Sequence, residues 1–382
     1  MKVFYHCYGA AHSSVVAAFL HLGRLSSPPT AQQLRDLPYF DRQEKASHGR
    51  IFFLGQDGEG NDIYIFARRN VAQVAVRVLT GMAYIFGLPA EDYLFVNTTL
   101  FTNWLLTLGG ILSRQMGLVW PGRLFVTKGA QKAFPDLLDL VTQVKKVIKQ
   151  EYPPKYPLAS TRASTAALCL EKQANRALGS IPPRGSQVPR GSAGTTRREG
   201  ARPGQEKEDP SSPDQPEVIF YQCYGSTHSS VVSGAIHLGQ LPTRRCPAKK
   251  EILALPLFDQ VANNQIGRPF FLGIDGDGRR VYAIGLASQP ALLKRLASDF
   301  LALHGITDKQ YRFYNALAQA RFLVRLGGFL SRRLGLVRLG RPLTVLGIQQ
   351  NYFAFVRLVE RAQSELTQPG GKGEGKKLTR RS

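Results

Sequence analysis

Apolar and polar positions change period several times along this chain, and they do so twice in the same order. Residues 3–7, 51–54, 63–66, 93–96 and 124–127 are short apolar runs rich in β-branched and aromatic side chains, which predicts strands. Residues 13–22, 71–86, 101–116 and 132–149 carry helical spacing. Gly23 closes the first of these helices, Gly109 and Gly110 lie inside the third, and Lys145, Lys146 and Lys149 end the fourth. Asp57-Gly58-Glu59-Gly60-Asn61 separates two strands and predicts a hairpin. Strands alternating with helices imply an α/β layered domain.

The order repeats because the sequence does. Tyr5 to Gly23 reads YHCYGAAHSSVVAAFLHLG, and Tyr221 to Gly239 reads YQCYGSTHSSVVSGAIHLG, with 12 of 19 positions identical at an offset of 216. Further on the offset is 218: Leu37-Pro38 and Phe40-Asp41 answer Leu255-Pro256 and Phe258-Asp259, and FFLGQDGEG answers FFLGIDGDG. Later, Leu108-Gly109-Gly110 answers Leu326-Gly327-Gly328, and Leu112-Ser113-Arg114 answers Leu330-Ser331-Arg332. A unit of about 150 residues is a domain, too long for a solenoid repeat. The expected organisation is an α/β copy over residues 1–150, a Pro/Gly/Arg-rich flexible linker over 151–216, a second copy over 217–366 and a disordered basic tail over 367–382. A short helix at 163–178 fits within the linker. Each copy is read as a mainly parallel sheet with flanking helices and one β-hairpin, and the pair as a pseudo-dimer within one chain.

Composition narrows the class. At 43% hydrophobic and 20% charged the chain is globular, and its longest apolar stretch, 94–112, is broken by Asn and Thr, so no transmembrane segment is predicted. The N-terminus imitates a signal peptide, but the same pattern recurs at residue 217, where cleavage has no meaning. Four cysteines with no zinc-site spacing predict reduced thiols, no metal and a cytoplasmic location. The net charge of +23 divides unevenly: +6 in 1–150, +3 in 151–216, +10 in 217–366 and +4 in the tail. That excess at the second copy favours an acidic partner or nucleic acid there, with Arg321, Arg325, Arg332 and Arg333 as a candidate basic face or simply a solvated one. No nucleic-acid motif accompanies it.

The repeated phrase is also the candidate site. A strand that ends in a small-residue turn and feeds a helix N-terminus presents unpaired N–H groups and a favourable dipole to an anion. Gly9 and Gly225 permit unusual backbone angles or close approach. Ser13, Ser14, Ser229 and Ser230 offer hydroxyls or begin the helix. Cys7 and Cys223, at the strand ends, are candidate nucleophiles with depressed pKa values or small buried hydrophobes. His12 and His228 are candidate acid/base groups or turn residues. His21 and His237, in a last helical turn, and Asp57 and Asp275, in DGxG turns, read as structural. His6 becomes Gln222 in the second copy and is assigned no required role.

The Cys-x5-Ser-Ser spacing is similar to the phosphocysteine loop of sugar-phosphotransferase IIB domains and to the Cys-x5-Arg loop of low-molecular-weight tyrosine phosphatases. Ser13 and Ser229 stand at the Arg position, which disfavours a phosphatase, and no Walker A Lys is present, which disfavours ATP hydrolysis. The phrase YHCYGAAHSSVVAAFLHLG, with LPYFD, FFLGxDGxG and GG-x-LSR, resembles an uncharacterised domain family of spore-forming Gram-positive bacteria, which usually occurs as a single domain. That resemblance implies neither activity nor cofactor. Three functions stay open: binding of a phosphorylated small molecule or other anion, Cys-dependent phosphoryl or acyl transfer, and a non-catalytic interaction protein whose duplication replaces a homodimer.

Overall fold

Strand β1 (Lys2–Cys7) is almost wholly buried, and the topology explains why. A computed structural model describes residues 1–25, 28–149, 216–320, 324 and 337–367. In it β1 lies at the centre of a four-stranded sheet, between β3 (Asp62–Ala67) and β4 (Tyr93–Asn97), parallel to both. β2 (Ile51–Gln56) joins the edge antiparallel to β3, with a bulge between Phe53 and Gly55. Helices cover one face of the sheet: α1 (Ser13–His21), α2 (Ala31–Asp36), α4 (Trp104–Gly110) and α5 (Val119–Ile148). The other face carries α3 (Ala72–Ile85). Side chains alternate along β1, so Val3 and Tyr5 enter the core under α1 and α5, while Phe4 enters the core shared with α3.

The second copy repeats this with β5 (Val218–Cys223) central, β7 (Arg280–Gly285) and β8 (Tyr311–Asn315) parallel beside it, and β6 (Pro269–Ile274) antiparallel at the edge. Its helices are α6 (Ser229–His237), α7 (Lys249–Leu253), α8 (Pro290–Ala302), α9 (Val337–Gln350) and α10 (Tyr352–Thr367). The expected α/β class, the mainly parallel sheets and the hairpin in each copy are all present.

The strand expected at 124–127 is absent: these residues lie inside α5, a helix of 30 residues. Leu-Phe-Val-Thr has strand propensity, but Gly122, Val126, Gly129, Ala130, Ala133, Phe134 and Leu137 recur every three or four positions and are buried, and that face decides. Pro121 falls in the first turn, where a missing N–H costs little. Glycines then let α4 and α5 touch backbone to backbone: a Cβ on Gly129 would stand 2.6 Å from the Leu106 amide, and one on Gly109 equally close to that of Val126. The helix expected over 101–116 is broken into a 3-10 turn (Thr98–Phe101), α4 capped by Asn103, and a π-turn (Ile111–Gln115). Helix α2, unpredicted, is held by a Thr30–Gln33 capping box. The linker, the 163–178 helix, the tail beyond Thr367, Cys169 and the Arg321, Arg325, Arg332 and Arg333 face lie outside the described residues.

The two copies share one core. Phe4, Phe95, Met82 and Leu79 from the first pack with Phe220, Phe300, Leu296 and Tyr311 from the second. The contacts are reciprocal, as in a two-fold dimer. Gly49 lies against the Leu292 carbonyl, and Gly267, its counterpart at offset 218, against the Val74 carbonyl, the counterpart of that contact. Arg295 donates to the His48 carbonyl at 2.9 Å, and Arg77 to the Ile266 carbonyl. The duplication thus forms a pseudo-dimer in one chain. Among the described residues no helix is long and apolar enough to cross a membrane.

Candidate functional site

The loop after β1 folds around the sulfur of Cys7. Ala10 takes a left-handed conformation (φ 50°), as does Ser226 in the second copy (φ 64°), whereas Gly9 and Gly225 are not among the positive-φ residues. The strain therefore falls one residue later than the glycines. Gly9 instead faces the His48 ring, 3.8 Å from where a Cβ would sit. Ser14 Oγ lies 3.2 Å from Cys7 Sγ. Burial pushes the Cys7 thiol up, but the Ser14 hydroxyl and the backbone N–H groups of Ser14, Gly9 and Ala11 act in the opposite direction and hold it below its ordinary value. In the second copy Ser230 Oγ approaches Cys223 Sγ to 3.1 Å and the Ser226 amide donates to that sulfur.

The serines are committed inward. Ser13 Oγ is 2.9 Å from Thr98 Oγ1, which donates to the His6 carbonyl, so this pair ties α1 to the end of β1. Ser229 and Ser230 are buried likewise. Neither His12 nor His228 caps its helix by a side chain. His12 Nε2 instead stands 3.2 Å from Asp41 Oδ1. A carboxylate only accepts, so Nε2 carries the proton. Asp41 is buried, left-handed (φ 50°), and also receives Ser113 Oγ at 2.7 Å and Arg123 Nε at 3.3 Å. His228, Asp259 and Arg341 repeat the arrangement at 3.3 and 2.8 Å, and despite burial, donation from His228 and Arg341 holds Asp259 down at about 2. Asp41 and Asp259 went unassigned in the sequence, although LPYFD and LPLFD recur in register; the repeated Asp was the available signal.

Above the loop of the first copy opens a cleft of about 1120 Å³. Cys7, Gly9, Ala11, His12 and Ser13 form one wall. Gln43 to Ala46, His48 and Arg69 form the second, and Thr99, Thr102, Leu106, Thr107, Gly110 and Ile111 the third. Burial lowers the His48 pKa, and the charges of Arg69, Lys45 and Arg295 lower it further, which measures how positive this wall is. Arg68 is buried beneath it, donating to Thr99 Oγ1 at 2.6 Å and to Asn97 Oδ1 at 3.3 Å. Sequence reading missed Lys45, His48, Arg68 and Arg69, because their meaning depends on two loops far apart in the chain meeting at β1. No group of three His, Cys, Asp or Glu suited to a metal occurs among the described residues.

The family model of DUF3189, described as a protein of unknown function, matches residues 2–146 and again 218–364. The chain belongs to the DUF3189 family. No curated protein and no solved structure matches it. Both DUF3189 units contain a second, largely buried relay. Tyr5 Oη lies 2.7 Å from His21 Nδ1, and His21 Nε2 lies 3.0 Å from Asp57 Oδ2; Tyr221, His237 and Asp275 match at 2.8 and 3.1 Å. Asp57 also accepts the amides of Glu59 and Asn61, closing the hairpin. Burial lowers the His21 pKa, so a neutral ring donates from Nε2 to Asp57 and accepts from Tyr5 at Nδ1. The relay joins β1, α1 and the hairpin, away from the cleft walls. His21→Ala should cost about 2–5 kcal/mol, because it leaves the buried Tyr5 hydroxyl without its partner, takes one donor from Asp57 and empties a buried ring site. Urea unfolding checks this, and a loss below about 1 kcal/mol would remove the relay from the framework.

Proposed function

We propose that the first DUF3189 unit binds an anionic, phosphate-bearing small molecule in the cleft over Cys7. The observation that carries this reading is the lining: Lys45, Arg69 and the rings of His12 and His48 converge on one cavity that ends at a helix N-terminus, with Glu44 as its lining carboxylate. The anionic group would lie between Arg69, Lys45 and the loop 8–13. The remainder of the molecule would run along the Thr99, Thr102, Leu106 and Ile111 wall, which offers hydroxyls and apolar surface together. The earlier expectation that Ser13 and Ser14 hydroxyls hold the anion changes in this reading, since both already have buried partners, and the side chains of Lys45 and Arg69 take that part.

Thermal unfolding with inorganic phosphate and a panel of phosphomonoesters and nucleotides tests the reading. A ligand at a hundred times its Kd stabilises by about 2.7 kcal/mol. Lys45→Ala with Arg69→Ala should weaken binding by about tenfold or more, the expected cost of losing a charge-assisted hydrogen bond. No shift with any phosphate compound, in the wild type or the double variant, would refute it.

A second reading has its own support in the lowered pKa of Cys7. The thiolate would attack a phosphoryl group, forming an S–P bond as the P–O bond to the leaving alcohol breaks, with His12 supplying the proton that the alcohol takes. Mass spectrometry after incubation with an activated phosphomonoester such as p-nitrophenyl phosphate, whose P–O bond breaks in the transfer, would find one phosphoryl group on Cys7. Its absence, with binding intact, would leave the cleft as a binding site only.

A further inference from the structure

We infer that the two copies divide the work: the first holds the anion, and the second is a scaffold whose helix α8 fixes one wall of the first copy's cleft. This rests on the anion reading of that cleft and adds which copy binds and what shapes the site.

The loop machinery survives in both copies, since Cys223, Gly225, His228, Ser229, Ser230 and Asp259 match Cys7, Gly9, His12, Ser13, Ser14 and Asp41. The cationic wall does not. At offset 218, Lys45 is answered by Asn263, His48 by Ile266 and Arg69 by Ala287. The change extends below the surface: the Arg68–Thr99 pair becomes Leu286 and Leu317. Backbone geometry is kept while the charge goes, for Arg69 and Ala287 share a left-handed conformation (φ 51° and 45°). At the position of Thr107 the second copy's sequence carries Arg325, which lies outside the described residues.

The second copy grips the first copy's wall more firmly than the reverse. Arg295 donates to the carbonyls of Ala46 and His48. Asp299 takes Arg50 Nη1 at 2.7 Å and the Ile51 amide at 3.0 Å. The segment 46–51 is thereby held at both ends by one helix of the other copy. In return, Arg77 donates to the Ile266 carbonyl, but the counterpart of Asp299 is Gly81, which has no side chain to offer. A guanidinium bridging two carbonyls fixes where Lys45 and His48 stand, and it adds its own charge to the wall. Arg295 is thus a positioning residue in a site to which its own copy contributes no lining side chain.

Alkylation by iodoacetamide, followed at each cysteine by peptide mass spectrometry while inorganic phosphate is titrated, tests this on the full chain. Phosphate should slow modification of Cys7 and leave Cys223 unchanged, with exposed Cys246 as reference. Arg295→Ala should raise the phosphate needed for half-protection of Cys7 by about tenfold. Arg77→Ala, which removes the matching contact on the other side, should leave it unchanged, whereas a merely structural role would make the two variants alike. Arg295→Lys, which keeps charge but not the two-carbonyl fork, should fall between and covers the case where the alanine variant does not fold. Equal protection of Cys7 and Cys223 overturns the division of labour while leaving anion binding intact. Protection of neither thiol overturns both.

Discussion

Phe300→Ala should lower the unfolding free energy by about 3–5 kcal/mol, the usual cost of emptying a buried aromatic site. Phe300 is fully buried on α8, yet three of the rings around it belong to the first copy, Tyr93 at 5.0 Å, Phe4 at 6.1 Å and Phe95 at 6.5 Å between centroids, beside His304 of its own copy at 5.6 Å. The cavity therefore opens between the copies, and both sheets lose packing at once. Denaturant unfolding of the full chain should keep one cooperative transition in the wild type, and the variant should shift its midpoint. If the variant instead produced two separated transitions with the first copy's stability unchanged, the copies would not share a core. A loss below about 1 kcal/mol would lead to the same conclusion.

The shared core explains which parts of this protein were legible in its sequence. Hydrophobic period and turn chemistry are local, and they located β1, β3, β4, α1 and α3 to within a few residues. The duplication announced a pseudo-dimer because the copies match over whole domains. Residues 124–127 were misread because four residues of strand propensity outweighed a buried stripe that becomes visible only over eight turns of α5. The site divided in the same way. Cys7 and His12 stand in a contiguous phrase and were singled out. Asp41, Lys45, His48 and Arg69 gain their meaning from a fold that brings 41–48 and 68–69 beside residue 7, and Arg295 from a contact across 247 positions of chain. The histidines at 21 and 237 were read as structural through the helix dipole and C-cap; their ring partners are those of the Tyr–His–Asp relay, which the last-turn position alone does not reveal.

Acidification should destabilise the fold from about pH 6.5 downward, well before carboxylates titrate. His6, His21, His48, His237 and His304 all have lowered pKa values, in each case led by burial, which disfavours the charged ring. The unfolded chain takes up a proton at each as pH falls below about 6.5, while the native state does not, so stability present above that pH is lost on the way down. His6 matters most. It is fully buried with neither ring nitrogen hydrogen-bonded, stacks on Phe66 at 5.0 Å, and lies near the Arg68 charge, and its pKa falls to about 3. At 1.36 kcal/mol per pH unit, moving from pH 7 to pH 4 removes about 3 kcal/mol through His6 alone. His48 and His304, partly exposed, contribute less because solvent screens them. A second loss follows between about pH 4 and pH 2, as Asp57 and Asp259, held near 2 by their hydrogen bonds against the effect of burial, take up protons first in the unfolded chain. The second copy supplies the control, since Gln222 stands where the first has His6. His6→Gln should therefore lose about 3 kcal/mol less than the wild type between pH 7 and pH 4, read from urea midpoints across that range. Superimposable pH curves for the two proteins would mean that His6 does not hold its proton off in the folded state.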